Sequence, residues 1–160
     1  MELVIVYLIV GAAALAVSRR MMRRQREKAA ALAAECAPPD LSNLQDPREA
    51  AAVFLYRVAA AKGDMSDARD DALLEGMQEL FGGDADAAED FLAFGWRADG
   101  DGVTPLDAVA VAGPMMQRCT HEERRDFIAA LRKIAAVDGP PNDAQRRLMS
   151  QIEAAVLPSS

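Results

Sequence analysis

One stretch of this chain repeats another at a fixed distance, and that echo most constrains the fold. Residues 131–146, LRKIAAVDGPPNDAQR, read as the end of a helix, a tight Asp138-Gly139-Pro140-Pro141 turn and the Asn142-capped start of the next helix. A Gly past the last periodic apolar residue, with Pro just beyond, stops a helix. An Asn side-chain oxygen then accepts a bond from an otherwise orphaned backbone N–H. At an offset of 76 residues, positions 55–70 carry the same pattern. Leu55 falls on Leu131, Val58 on Ile134, Ala59-Ala60 on Ala135-Ala136, Gly63 on Gly139, Ser66 on Asn142 and Asp67 on Asp143. Two helix–Gly–cap–helix hairpins at matching phase predict a bundle with internal pseudo-symmetry, and two copies are too few for a repeat array.

The rest of residues 46–157 reads as further short helices. Asp46-Pro47-Arg48-Glu49 is a helix start, with a capping Asp, Pro at the first helical position and Glu at the third. Ala50, Val53, Phe54, Val58 and Ala61 follow as an apolar stripe at helical spacing. Ser66 opens a second helix that buries Leu73, Leu74, Met77, Leu80 and Phe81 and stops at Gly82-Gly83. Asp84 caps a third, with Ala88, Phe91, Leu92 and Gly95 inward and Trp96 near its end. Thr104-Pro105 starts a fourth, with Leu106, Val109 and Ala110 on one face, and Gly113-Pro114 is expected to break or kink it. Thr120-His121-Glu122-Glu123 is another capping box, opening the helix of Phe127, Ile128, Leu131, Ile134 and Ala135. The last helix presents Leu148, Met149, Ile152, Ala155 and Val156. No run alternates with a period of two, so the expected class is all-α: a pseudo-symmetric bundle of six to seven short helices. Trp96 and the Phe residues are expected in its core.

A membrane anchor is expected ahead of the bundle. Residues 3–17, LVIVYLIVGAAALAV, are uncharged and almost wholly apolar. At 1.5 Å per residue they cover about 22 Å of a roughly 30 Å hydrocarbon core, and Met1, Ser18, Met21 and Met22 can lengthen the buried run. Arg19, Arg20, Arg23 and Arg24 follow the apolar run, where the positive-inside rule holds them in the cytoplasm. Before it stand only Met1 and Glu2, not the positive region of a cleaved signal peptide. The expectation is a transmembrane anchor with a basic extension over residues 1–36, a linker at 37–45, and a cytoplasmic domain at 46–157. That describes a single-pass protein of a bacterial-type inner membrane with its N-terminus outside.

Charge narrows the partners. The net charge of −7 hides a split: six Lys/Arg against three Glu in residues 1–39, then twelve basic against twenty-two acidic residues. An acidic domain disfavours nucleic acid, because neutralising phosphates needs a basic surface. Asp64, Asp67, Asp70, Asp71 and Glu75 gather at the start of the second helix, and between Asp64 and Asp90 the one opposing charge is Arg69. Spacings of three and four put Asp67, Asp70 and Asp71 on one face near a helix N-terminus, where the dipole favours negative charge. These five residues are the expected surface for a protein partner, and a divalent cation is the alternative ligand because hard cations take oxygen donors.

Other chemistry has little to stand on. Residues 98–107 carry Asp99, Asp101 and Asp107 but fail the calcium-loop pattern, with Val103 and Ala110 at ligand positions. His121 is the single histidine and sits in a capping box, where a solvent-facing side chain is expected. Cys36 and Cys119 lie in unrelated contexts and read as reduced thiols. No phosphate loop, nucleophile elbow or dinucleotide fingerprint occurs, so no enzyme activity and no resident cofactor are indicated.

The hairpins AAAKGDMSDAR (residues 59–69) and AAVDGPPNDAQ (residues 135–145) resemble the paired Ala-Asp-Gly turns of the TerB-like tellurite-resistance family. The resemblance covers roughly residues 46–157. It implies an all-helical pseudo-symmetric bundle, acidic residues linked to metal binding, and roles in envelope or metal-stress complexes. Membrane-anchored DnaJ-like co-chaperones are similar in joining one N-terminal anchor to a TerB-like domain, but this chain carries no His-Pro-Asp tripeptide and no J-domain. Family hairpins usually continue with a Glu in the second helix's first turn; here those positions are Arg69 and Gln145, and Lys62 stands opposite Asp138. Asp138, with Asp64 and Asp67, is therefore the remaining metal candidate. The reading the residues support is a membrane-tethered binding or scaffold module, with a divalent-cation binder or sensor as the alternative.

Overall fold

The structure, a computed structural model, describes residues 39–99 and 105–157. Six α-helices account for most of them: α1 (Pro47–Ala60), α2 (Asp67–Leu80), α3 (Ala85–Asp99), α4 (Pro105–Met116), α5 (His121–Ala135) and α6 (Asp143–Val156). A 3-10 turn, Leu41–Asn43, precedes them, and no strand occurs among the described residues. The expected anchor and its arginines lie outside the described residues, as do Cys36 and the turn at residues 100–104. Among the described residues no helix is long and apolar enough to cross a membrane.

The N-termini form as their sequences dictate. Asp46 and Glu49 make the reciprocal capping box of α1, with the Asp46 side chain accepting from Arg48 N–H and Glu49 Oε2 accepting from Asp46 N–H at 3.1 Å. Thr120 and Glu123 do the same for α5, leaving His121 exposed as expected. Asp84 accepts from Ala87 N–H at 3.1 Å and starts α3. The turns after α1 and α5 pass through Gly63 and Gly139, both at positive φ (104° and 92°), a conformation that costs a residue with a Cβ.

Helix α1 is the hub, touching each of the other five helices. Its sequence reads as a stripe, yet Ala50–Leu55 and Val58 and Ala59 are all buried, so the helix is apolar nearly all round. Phe54 packs beside Phe127 of α5 with ring centroids 6.1 Å apart and planes tilted by 45°. Full burial of each such large side chain stabilises the fold by about 1.5–3 kcal/mol before ordering entropy is counted. Gly95 of α3 sits against α1 so closely that a Cβ there would lie 2.7 Å from the carbonyl oxygen of Ala52. Arg57 adds a polar tie, its Nη2 donating to Ala98 O at 2.7 Å.

Three sequence expectations change. The segment expected to be a linker delivers Leu41 and Leu44 to the core, because its 3-10 turn packs on α4. Helix α4 is not broken at Gly113-Pro114 but runs on to Met116. Gly113 has no Cβ to clash with the proline ring, which eases the helical conformation before Pro114, and Pro114 itself is exposed in the last turn. The buried face of α4 is Val109, Ala112, Gly113 and Met116, while Ala110 faces solvent. Trp96 is half-buried, as are Phe81, Phe91 and Phe94; Phe54 and Phe127 are the aromatic core.

Candidate functional site at the paired hairpin turns

The two sequence hairpins meet turn to turn. The 76-residue offset lays α2 on α6 end to end, Asp67 on Asp143 and Leu80 on Val156. Both helices start from a capping side chain: Ser66 Oγ accepts from Arg69 N–H at 3.2 Å, and Asn142 Oδ1 accepts from Gln145 N–H at 2.8 Å. The third position then differs. Gln145 completes a capping box by accepting from Asn142 N–H at 3.1 Å. An arginine has no acceptor to offer, so Arg69 turns its guanidinium back onto the end of α1.

A helix end leaves its last four carbonyls without partners in the helix, and here all four at the end of α1 are met. Arg57 O accepts from Ala61 N–H at 2.9 Å, and Ala60 O from Gly63 N–H at 3.0 Å. Val58 O accepts from Gln145 Nε2 at 3.0 Å, across 87 residues of sequence. Ala59 O accepts from Arg69 Nη1 at 2.6 Å. Asn142 Nδ2 adds a bond to Ala61 O at 3.0 Å, so the second hairpin staples the first at two points. Gln145 is fully buried, which makes both of its bonds obligatory.

A second set of bonds runs through Asp138. Its Oδ2 accepts from Ser66 Oγ at 2.7 Å and from Arg69 Nε at 2.6 Å. The Ser66 hydroxyl first, then Arg69 and Lys62, holds the Asp138 carboxyl below its usual pKa. Arg69 Nη1 also reaches Gly63 O at 3.3 Å, and Nη2 donates to Asp64 O. Lys62, the register counterpart of Asp138, donates to Gly139 O at 3.0 Å and Pro140 O at 3.3 Å. Each turn thus sends a side chain to the other.

The sequence that builds these turns matches a known family. Residues 48–157 match the family model described as tellurite resistance protein TerB. The chain belongs to the TerB family. No curated protein and no solved structure matches it. The TerB match spans all six helices from α1 to α6, and the paired turns lie inside it.

The metal implied by the TerB resemblance does not fit the residues that stand here. Asp138 has spent its Oδ2 on Ser66 and Arg69, Asp64 lends the cluster its backbone carbonyl, and Asp67 sits exposed at the first position of α2. The matching positions at 62 and 69 are cations, so a divalent ion beside Asp138 would meet two positive charges. Among the described residues, no three His, Cys, Asp or Glu side chains converge as metal ligands. The sequence marks Arg69 as the lone cation of an acidic stretch and as the register partner of Gln145, but not as the residue that ties the two turns together. The signal was its register with Gln145: two third-position residues after two caps, neither of them the expected Glu.

The acidic residues resolve into a line along the TerB domain's second helix. Asp67, Asp71, Glu75 and Glu79, four residues apart, are all exposed on α2. Glu79 was missing from the set expected on sequence grounds, and Asp70 departs from it. Asp70 is half-buried and, after burial and Asp99, helps to push the Tyr56 phenol up to about 12. Lys133 of α5 bonds Glu79 at 3.2 Å and approaches Glu75 at 3.4 Å, one cation against two carboxylates in the C-terminal half of the ridge. Asp64, Asp67 and Asp71 lie toward the N-terminal half. Elsewhere, a cleft of about 280 Å³ lies beside Arg48, Phe81, Met116, Cys119 and Phe127. Burial, then Glu123, raises the Cys119 thiol above its usual pKa, the opposite of what an activated nucleophile requires.

Proposed function

We propose that this chain is a membrane-tethered TerB-type binding module, not an enzyme, and that it offers the acidic ridge of α2 to a basic surface of a protein partner in an envelope or metal-stress complex. The observation that carries the reading is the run of exposed carboxylates Asp67, Asp71 and Glu75, about one turn apart on a helix tied at its N-terminal end by the Arg69–Asp138 cluster. A fixed row of like charge favours fast, salt-sensitive association with a complementary surface. The apolar run at residues 3–17, followed by four arginines, supports tethering with the domain on the cytoplasmic side.

The test uses the full-length chain. Membranes are washed at alkaline pH, solubilised in detergent, and the cross-linked complexes of the native chain are compared with those of Asp67→Lys/Asp71→Lys. The expected result is that the chain stays with the washed membranes and that charge reversal removes a defined partner. Release of the chain by the wash refutes the tether. An identical set of partners for both chains, or none for either, refutes the docking surface.

A further inference from the structure

The place where the hairpin turns meet is built around a positive charge that the chain itself supplies. Arg69 is 5 % exposed. Its guanidinium nitrogens face five oxygens: Asp138 Oδ2 at 2.6 Å, Ser66 Oγ at 3.4 Å, Ala59 O at 2.6 Å, Gly63 O at 3.3 Å and Asp64 O. One carboxylate, one hydroxyl and three backbone carbonyls make a donor set of the kind that hard divalent cations take. The cluster also lies at the C-terminal end of α1, where the helix dipole concentrates negative charge. The oxygens come from both hairpins, so whatever positive charge sits among them joins the two.

We propose that Arg69 is a built-in cation: it fills this oxygen cluster in place of a divalent ion, makes the native fold indifferent to such ions, and conceals a divalent-cation site that opens when the guanidinium is exchanged for a carboxylate. The charge count is the reason. With Lys62 beside them, Arg69 and Asp138 sum to +1, whereas a carboxylate at position 69 turns the sum to −1, so a site that repels a divalent ion becomes one that attracts it. The exchange keeps the start of α2, because a carboxylate three residues after Ser66 is the favoured capping partner. A lysine in the same place would not do the work of the arginine, since only the planar fork reaches oxygens on several sides at once.

The probe is calcium alone, and the sample is the full-length chain in detergent. Thermal melts are recorded in excess EDTA and in excess calcium for the native chain, Arg69→Glu, Arg69→Gln and Arg69→Glu/Asp138→Asn. The native melting temperature is expected to be the same in both buffers. Arg69→Glu is expected to melt below the native chain in EDTA and to rise by about 5 °C or more in calcium, the gain of a fold linked to one occupied site. Arg69→Gln removes the charge without supplying a ligand pair and gains less. Adding Asp138→Asn to Arg69→Glu removes most of the gain. A native chain that takes up calcium in a calorimetric titration, or that EDTA destabilises, overturns the proposal. So does an Arg69→Glu chain that calcium neither binds nor stabilises.

Discussion

The contact between α1 and α3 sets up a quantitative test with its own internal control. A Cβ added at Gly95 would sit 2.7 Å from Ala52 O and 3.1 Å from both Ala52 C and Tyr56 Cβ, about 0.7 Å inside the 3.4 Å at which ordinary contact begins. The obstacle is backbone in the middle of the central helix, which cannot rotate away as a side chain could. Overpacking of this kind costs about 1–3 kcal/mol, and rigid backbone on the far side argues for the upper end. Against it, replacing Gly by Ala inside a helix favours folding by about 1 kcal/mol. Gly95→Ala is therefore expected to lose about 2 kcal/mol, or about 8 °C of melting temperature for a domain of this size. Gly76 of α2 is the control, because its added Cβ would meet only the Ile134 side chain, Cδ1 at 3.4 Å and Cγ1 at 4.0 Å. Gly76→Ala should keep the propensity gain and stabilise the fold by about 0.5–1 kcal/mol. Circular-dichroism melts of the native chain and the two variants read the difference directly. If Gly95→Ala melts at or above the native temperature, the close approach of α1 and α3 is not real and the packing argument fails.

Two further predictions concern the paired turns. The folded Asp138 carboxyl lies below its unfolded value of 3.8, so its contribution is present above that pH and is lost as pH falls through the folded value. Denaturant titrations of the native chain and Asp138→Asn should therefore differ at neutral pH and converge below pH 3.8; a gap that persists in acid would falsify the link to this carboxylate. Gln145→Leu exchanges the amide for an apolar side chain, strands Val58 O where it is buried and takes the capping acceptor from Asn142 N–H, and is expected to cost about 2–4 kcal/mol. Chemical unfolding of that variant with a loss under about 0.5 kcal/mol would show that the buried glutamine bonds contribute little to the fold.

What could be read from the chain beforehand was what local chemistry decides. Asp46 with Glu49, Thr120 with Glu123, and the glycines at 63 and 139 act within four residues of themselves, so their roles are visible without the fold. Of the break or kink expected at Gly113-Pro114, the break does not occur, because the relief lies in one missing Cβ next door. Leu41 and Leu44 looked like linker residues because a short 3-10 turn has no apolar period to announce it. The Arg69–Asp138 pair spans 69 residues, and nothing in either neighbourhood points to the other. Only the offset between the hairpins brings position 69 into view, and even then it takes the meeting of the turns to show why a cation belongs there. The ridge on α2 lay between these extremes: its spacing was written in the sequence, but which of Asp70 and Glu79 faced outward depended on where α1, α3 and α5 came to rest.

The central position of α1 governs how the domain comes into being. A nascent chain that has released α1, α2 and α3 still holds a helix of Ala, Val, Phe and Leu whose remaining flank waits for α4, α5 and α6. The likeness of the two hairpins therefore gives no modularity, since the first cannot be finished until the second arrives. Synthesis of the last helix is the step that closes the molecule, and any interruption before it leaves a flank of the domain's central, most deeply buried helix open to the chaperones and proteases of the cell.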